Sequence, residues 1–208
     1  MQVTAKPSAK TKLLDAALSV IRSKGYAATT VDDLCASAGV TKGAFFHHFK
    51  SKEDLGVAAA DYWSETTGGL FAQAPYNAHA DPLERLLGYV DFRQALLQGS
   101  IPDITCLVGT MVQETYGSSP VIRDACERSI SMHTAKIEAD ISAAIEMYGI
   151  VPPWTAAGLA LYTQAILQGA FILAKAKDDV QVADDCVDHL RRYIKLLFNQ
   201  PQEKETAL

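Results

Sequence analysis

Apolar residues recur at spacings of three and four along nearly the whole chain, and β-branched residues rarely alternate with polar ones. That periodicity predicts an all-α fold, because only a helix brings every third or fourth side chain to one face. In KTKLLDAALSVIRSKGY the stripe Leu13, Leu14, Ala17, Leu18 and Ile21 runs up to Gly25, a residue that tolerates the positive φ of a helix end, so a first helix is expected over Ala9–Lys24. Thr30 as cap and Gly39 as stop bound a second helix of about two turns. Thr41 and Ser51 cap a third and a fourth, the fourth reaching about Leu70. Residues 72–82 read as a connection. Helices follow over residues 82–98, 102–116, 120–148, 155–177 and 180–199, about nine in all. The first several residues and the tail from Pro201 read as loose.

Charge divides the chain. Residues 1–60 carry eight Lys/Arg against five Asp/Glu, a net of +3, whereas residues 61–208 carry eleven against nineteen, a net of −8. The division predicts an amino-terminal domain over 1–60 that meets a polyanion, joined to a body over 61–208 that does not. The four cysteines, Cys35, Cys106, Cys126 and Cys186, lie far apart without metal-ligand spacing, which points to free thiols in a reducing cytoplasm and to no metal site. No cofactor motif is visible. Residues 147–174 carry no charge, but two prolines, threonines and glutamines interrupt the apolar run, as expected of a buried helix rather than a membrane span.

Two short helices joined at Gly39 form a helix-turn-helix pattern, whose second helix enters the DNA major groove. On that second helix Phe45 and Phe49 face inward with Leu34 and Val40, and Lys42 with Phe46 and Gly43 with His47 share the other side. Lys42 suits a phosphate or a guanine edge, and Gly43 and Ala44 keep the helix start slim enough for close approach. His47, His48 and Lys52 are candidate phosphate donors, and Thr30 and Thr41 are caps placed on the same track. Adjacent histidines point about a quarter-turn apart with no ligand at i+4, so His47 and His48 read as DNA contacts rather than metal ligands.

The stretch GYAATTVDDLCASAGVTKGAFFHHFKSKEDL resembles the amino-terminal signature of the TetR family of bacterial transcriptional repressors. The resemblance implies a ligand-responsive homodimer that binds a two-fold symmetric operator in double-stranded DNA. Phe46 stands where the family usually has a tyrosine, whose hydroxyl commonly reaches a phosphate, and Ala44 where a Thr or Ser often sits. The motifs TCLVGTMVQE and LQGAFILAKAKDD are similar to the branch containing the N-ethylmaleimide reductase repressor, which implies a response to electrophiles through Cys106, with Lys175 in the second motif.

The residues themselves also allow Cys106 to be a small packed thiol. By the same resemblance, a helical effector domain would line its pocket with Tyr89, Phe92, Cys106, Met111, Met132, Trp154, Tyr162 and Phe171, with Gln113, Tyr116 and Gln164 as polar handles; each is equally read as core. The small residues Ala157, Gly158, Ala165 and Gly169, together with Val187, Leu190, Ile194, Leu197 and Phe198, would supply the subunit interface. A helical thiol enzyme or small-molecule carrier using Cys106 is the alternative. No paired carboxylates, phosphate loop or catalytic triad supports it, and His79, His133 and His189 stand isolated in the sequence.

Overall fold

A computed structural model describes residues 7–199, so the expectations for the extreme amino terminus and the tail lie outside the described residues. Among the described residues there are ten α-helices, one 3₁₀ turn at Pro75–Ala78, and no strand. The α-helices are α1 Ala9–Lys24, α2 Val31–Ala38, α3 Lys42–His48, α4 Lys52–Ala72, α5 Pro82–Ala95, α6 Ile101–Ile104, α7 Leu107–Thr115, α8 Pro120–Tyr148, α9 Ala156–Lys177 and α10 Gln181–Leu197. The all-α expectation holds, and the expected caps and stop Thr30, Thr41 and Gly39 stand at helix ends.

One correction concerns residues 102–116, which are not one helix. The chain leaves the helical path at Thr105 and Cys106 and starts again at Leu107. Cys106 therefore lies at the N-cap of α7, not a turn and a half into a helix, and its Sγ accepts the Gly109 N–H at 3.5 Å. Cysteine is outside the usual set of capping residues, so periodicity alone carried the expected helix straight through the break. The split raises the helix count from nine to ten.

By compactness the chain forms two units, and neither is contiguous. Unit 1 is Met1–Gly69 with Thr105–Ser131, and unit 2 is Leu70–Ile104 with Met132–Leu208. A cut at residue 60 divides the chain differently. In unit 1, α1, α2 and α3 close on one core: Leu13, Ile21, Leu34 and Phe45 are fully buried, joined by Leu55 of α4, Leu107 and Met111 of α7 and Ile122 of α8. Each such side chain contributes about 1.5–3 kcal/mol on leaving water, which holds helices of seven and eight residues that would not persist alone.

In unit 2, α9 packs chiefly on α10, and α10 on α5. By length and composition α9 could cross a membrane. Within its unit, however, it buries Leu159, Thr163, Gln164, Leu167 and Phe171, and the Thr163 hydroxyl donates to the Leu159 carbonyl at 2.9 Å. The opposite side of α9 exposes Leu161, Tyr162, Ile172 and Leu173, and α10 exposes Tyr193 and Leu196.

Candidate nucleic-acid interface and ligand cavity

The turn between α2 and α3 is fixed by local chemistry. Gly39 sits at φ 62°, ψ 41°, a left-handed conformation that costs glycine little, and its N–H with that of Val40 returns to the carbonyls of Ala36 and Cys35. The Thr41 hydroxyl then accepts the Ala44 N–H at 3.2 Å to start α3. Phe45 and Phe49 turn inward, their rings 5.8 Å apart, and leave Lys42, Gly43, Phe46 and His47 on the exposed side. Phe46 is 57 % exposed. His48 is half-buried, with its ring 4.8 Å from that of His47.

The start of α2 is a capping box. Thr30 Oγ1 accepts the Asp33 N–H at 3.1 Å, and the Asp33 carboxylate accepts the Thr30 N–H at 2.8 Å and the Thr30 hydroxyl at 2.6 Å. Lys24 adds its ammonium at 2.5 Å, and this side-chain bond, followed by those from Thr30, holds the Asp33 carboxyl well below the usual carboxylate range. Lys42 pairs with Asp32 at 2.8 Å. Both partners are largely exposed, so water and salt screen the pair and it holds Lys42 only weakly.

The loop before α2 is gripped from two sides within unit 1. Glu114 of α7 accepts the N–H groups of Tyr26 at 3.3 Å and Ala27 at 2.6 Å. Lys52 donates to the carbonyls of Tyr26 at 3.1 Å, Ala27 at 3.4 Å and Thr29 at 2.9 Å, with its ammonium 4.4 Å above the Tyr26 ring. Gly25, at φ 89°, is needed twice over: a Cβ there would come within 2.5 Å of Glu114 Oε1. Burial, then the nearby Glu53 charge, pushes the Tyr26 hydroxyl up to about 12. Lys52 thus differs from the expected outward phosphate donor, because its ammonium faces its own backbone.

Unit 2 contains a cavity of about 450 Å³, a size that suits a small organic molecule. Its walls come from Phe71 and Ala72 at the end of α4, Tyr76 and Asn77 of the 3₁₀ turn, Leu86 and Tyr89 of α5, and His133, Lys136, Ile137, Ala139 and Asp140 of α8. Gln164 Nε2 donates to the Tyr89 hydroxyl at 3.3 Å, and Tyr89 lies 2.9 Å from His133 Nε2. Burial, then the Arg93 and Lys136 charges, lowers His133 to about 3, so the ring is neutral. A neutral ring has one N–H donor and one bare nitrogen acceptor, and the Tyr89 hydroxyl can bond to either form of Nε2. Asp140 is matched by Arg85 at 2.7 Å.

Of the residues expected to form a pocket, the structure places Tyr89 in this wall, with Gln164 bonded to it. Phe92 and Phe171 stand one layer back: Phe92 packs against Phe71 and Tyr76, and Phe171 lies under Arg93. Met132 and Tyr162 are exposed, and Trp154 packs on Phe198. Cys106, Met111, Gln113 and Tyr116 belong to unit 1, where Met111 is core, Gln113 bonds back to the Gly109 carbonyl at 2.7 Å, and Tyr116 is 69 % exposed. Lys175 is exposed in the last turn of α9, in unit 2, so it does not share a compact unit with Cys106. Periodicity missed His133, Lys136, Ile137 and Asp140, although their three- and four-residue spacing puts them on one face of α8.

Comparison with known proteins agrees with this architecture. Residues 13–59 match the profile described as bacterial regulatory proteins, tetR family, and residues 82–189, just over half the chain, match the LmrA/YxaF-like transcriptional regulator C-terminal domain. The transcriptional regulator AcuR of Cereibacter sphaeroides is 31% identical over 102 residues, 49% of this chain and 47% of AcuR. The chain spans between about a fifth and three fifths of the length of the curated relatives it matches first. A TetR transcriptional regulator from Chloroflexus aurantiacus superposes with a TM-score of 0.78 at 26% identity, over 90% of this chain and 94% of that one. The reduced form of E. coli NemR shares the fold, with a TM-score of 0.74 at 19% identity over 89% of this chain and 96% of NemR.

Proposed function

The chain belongs to the TetR family of bacterial regulatory proteins, DNA-binding transcriptional regulators rather than enzymes, and from that premise we propose a specific mode of action. It is a cytoplasmic repressor that binds a two-fold symmetric operator as a homodimer and releases it when a small molecule fills the unit 2 cavity. Gly43 carries the DNA reading. A Cβ at Gly43 would meet only the Thr41 hydroxyl, at 3.7 Å, and its φ lies outside the left-handed region, so the fold itself does not require glycine there. The bare, exposed backbone there leaves room for close approach by a surface outside the protein. Lys42, Phe46 and His47 share that exposed face, ready for phosphates and for thymine methyls in a major groove.

Dimerisation follows from groove geometry, since two recognition helices must enter successive major grooves roughly 34–36 Å apart. The exposed apolar strip of Leu161, Ile172 and Leu173 on α9, with Tyr193 and Leu196 on α10, supports that assembly. A ligand preferring the released arrangement by about 3 kcal/mol would weaken DNA binding roughly 150-fold.

The test is Gly43→Ala measured by fluorescence anisotropy on a duplex selected from random sequence. The added methyl raises helix propensity by up to about 1 kcal/mol, so thermal stability holds or rises while DNA affinity falls. Lys42→Ala reduces the salt slope by about one. A Gly43→Ala protein that keeps wild-type affinity would remove the basis for this reading.

A further inference from the structure

The unit 2 cavity holds an imbalance of charge that the fold does not explain. Arg93 lies behind the wall, its guanidinium 5.1 Å from the Phe71 ring centre, 5.9 Å from that of Tyr89 and 6.0 Å from that of Phe171. Its Nε is buried and makes no hydrogen bond. Lys136 stands on the wall itself, and among the described residues neither cation has a carboxylate in ion-pair range. The one carboxylate in the wall, Asp140, is already matched by Arg85. Counting Arg85, Arg93 and Lys136 against Asp140 leaves two positive charges without a carboxylate partner around the cavity, Arg93 half-buried and Lys136 exposed. They sit in a body segment, residues 61–208, whose net charge is −8.

Arg93, half-buried over aromatic faces with its Nε unbonded, has lost hydration that the rings replace only in part, at a cost, whereas Lys136 is exposed and stays hydrated. An anion entering the cavity would relieve that cost, and the rest of the wall specifies what must be attached to it. Phe71, Tyr76 and Tyr89 offer apolar ring surface, with Leu86 and Ile137 beside them. His133 cannot supply charge, because it is neutral.

We propose that this cavity is a receptor for a small organic carboxylate with an aromatic body, its carboxylate met by Lys136 in the field of Arg93 and its ring laid against Tyr76 and Tyr89. The proposal rests on the reading of the chain as a ligand-responsive regulator and narrows the ligand to one chemical class. A neutral isostere of the same shape would lose the charge-assisted bond and keep only the ring contacts.

Isothermal titration calorimetry on the full-length protein tests this with 2-naphthoate, 3-phenylpropanoate and cinnamate, each beside its uncharged primary amide. At least one acid binds, and binds roughly tenfold or more tighter than its amide, the factor a charge-assisted bond contributes. Lys136→Met, which keeps the apolar stem, abolishes that discrimination, while Tyr76→Ala weakens acid and amide alike. If no acid binds at millimolar concentration, if amides match acids, or if Lys136→Met leaves the preference intact, the proposal is overturned. DNA anisotropy on the same samples separates the two readings. An acid that binds without weakening DNA affinity sustains the ligand class and sinks the regulatory coupling. Release of DNA by the amides alone does the reverse.

Discussion

The loop before α2 and the cavity of unit 2 treat charge in opposite ways. In the loop, Glu114 takes two backbone N–H groups and Lys52 takes three carbonyls, so each charge is answered by the main chain it holds. Around the cavity, Arg93 and Lys136 face rings and open space. The first arrangement contributes stability and leaves nothing for a ligand. The second contributes little to folding and is informative for that reason: uncompensated charge in a concave site marks binding more clearly than a well-bonded one.

The sharpest way to break this contrast is Lys52→Met. Removing an ammonium that serves three carbonyls costs about 2–3 kcal/mol, read as a lower urea midpoint with an unchanged m-value. A loss under about 0.5 kcal/mol, the range of an ordinary surface change, would show that the loop does not depend on its cation. Next in size is the pH response of His133. Its folded pKa of about 3 lies below the unfolded value, so its contribution is fully present above about pH 6.5 and is lost as pH falls toward 3, because the unfolded chain takes up the proton first. The slope reaches at most about 1.4 kcal/mol per pH unit. Denaturation curves at pH 7.5, 6.5 and 5.5 should show a smaller acid loss for His133→Phe than for the wild type. The smallest effect belongs to Lys136→Met, whose urea midpoint should move by less than about 0.5 kcal/mol; a large destabilisation would make Lys136 a structural residue like Lys52.

The same contrast explains what could be read from the sequence. Helix ends in unit 1 are decided by neighbours a few residues away: Thr30 by Asp33, Thr41 by Ala44, and Gly39 by its own left-handed backbone. Such signals survive in one dimension, and so did the inward and outward faces of α3. The orientation of Lys52 did not, because its carbonyl partners lie 23 to 26 residues earlier in the chain. The cavity was mostly illegible for the same reason. Phe71 and Tyr76 flank or sit in a stretch with the composition of a connection, and His133 is isolated until folding brings it to Tyr89, 44 residues away. Cys106 shows the other kind of failure, in which a residue type outside the usual capping set hid a break between two helices.

The seat of Glu114 bears on how such regulators can be rebuilt. A chimaera that joins residues 1–60 to a foreign body would leave behind the carboxylate that holds Tyr26 and Ala27, and Ser119, whose hydroxyl donates to Glu53 at 2.6 Å. It would also strip Leu107, Met111 and Ile122 from the core on which α3 packs. A graft of altered operator specificity therefore has to transplant residues 105–131 with the amino-terminal segment, as two strands of sequence moved together.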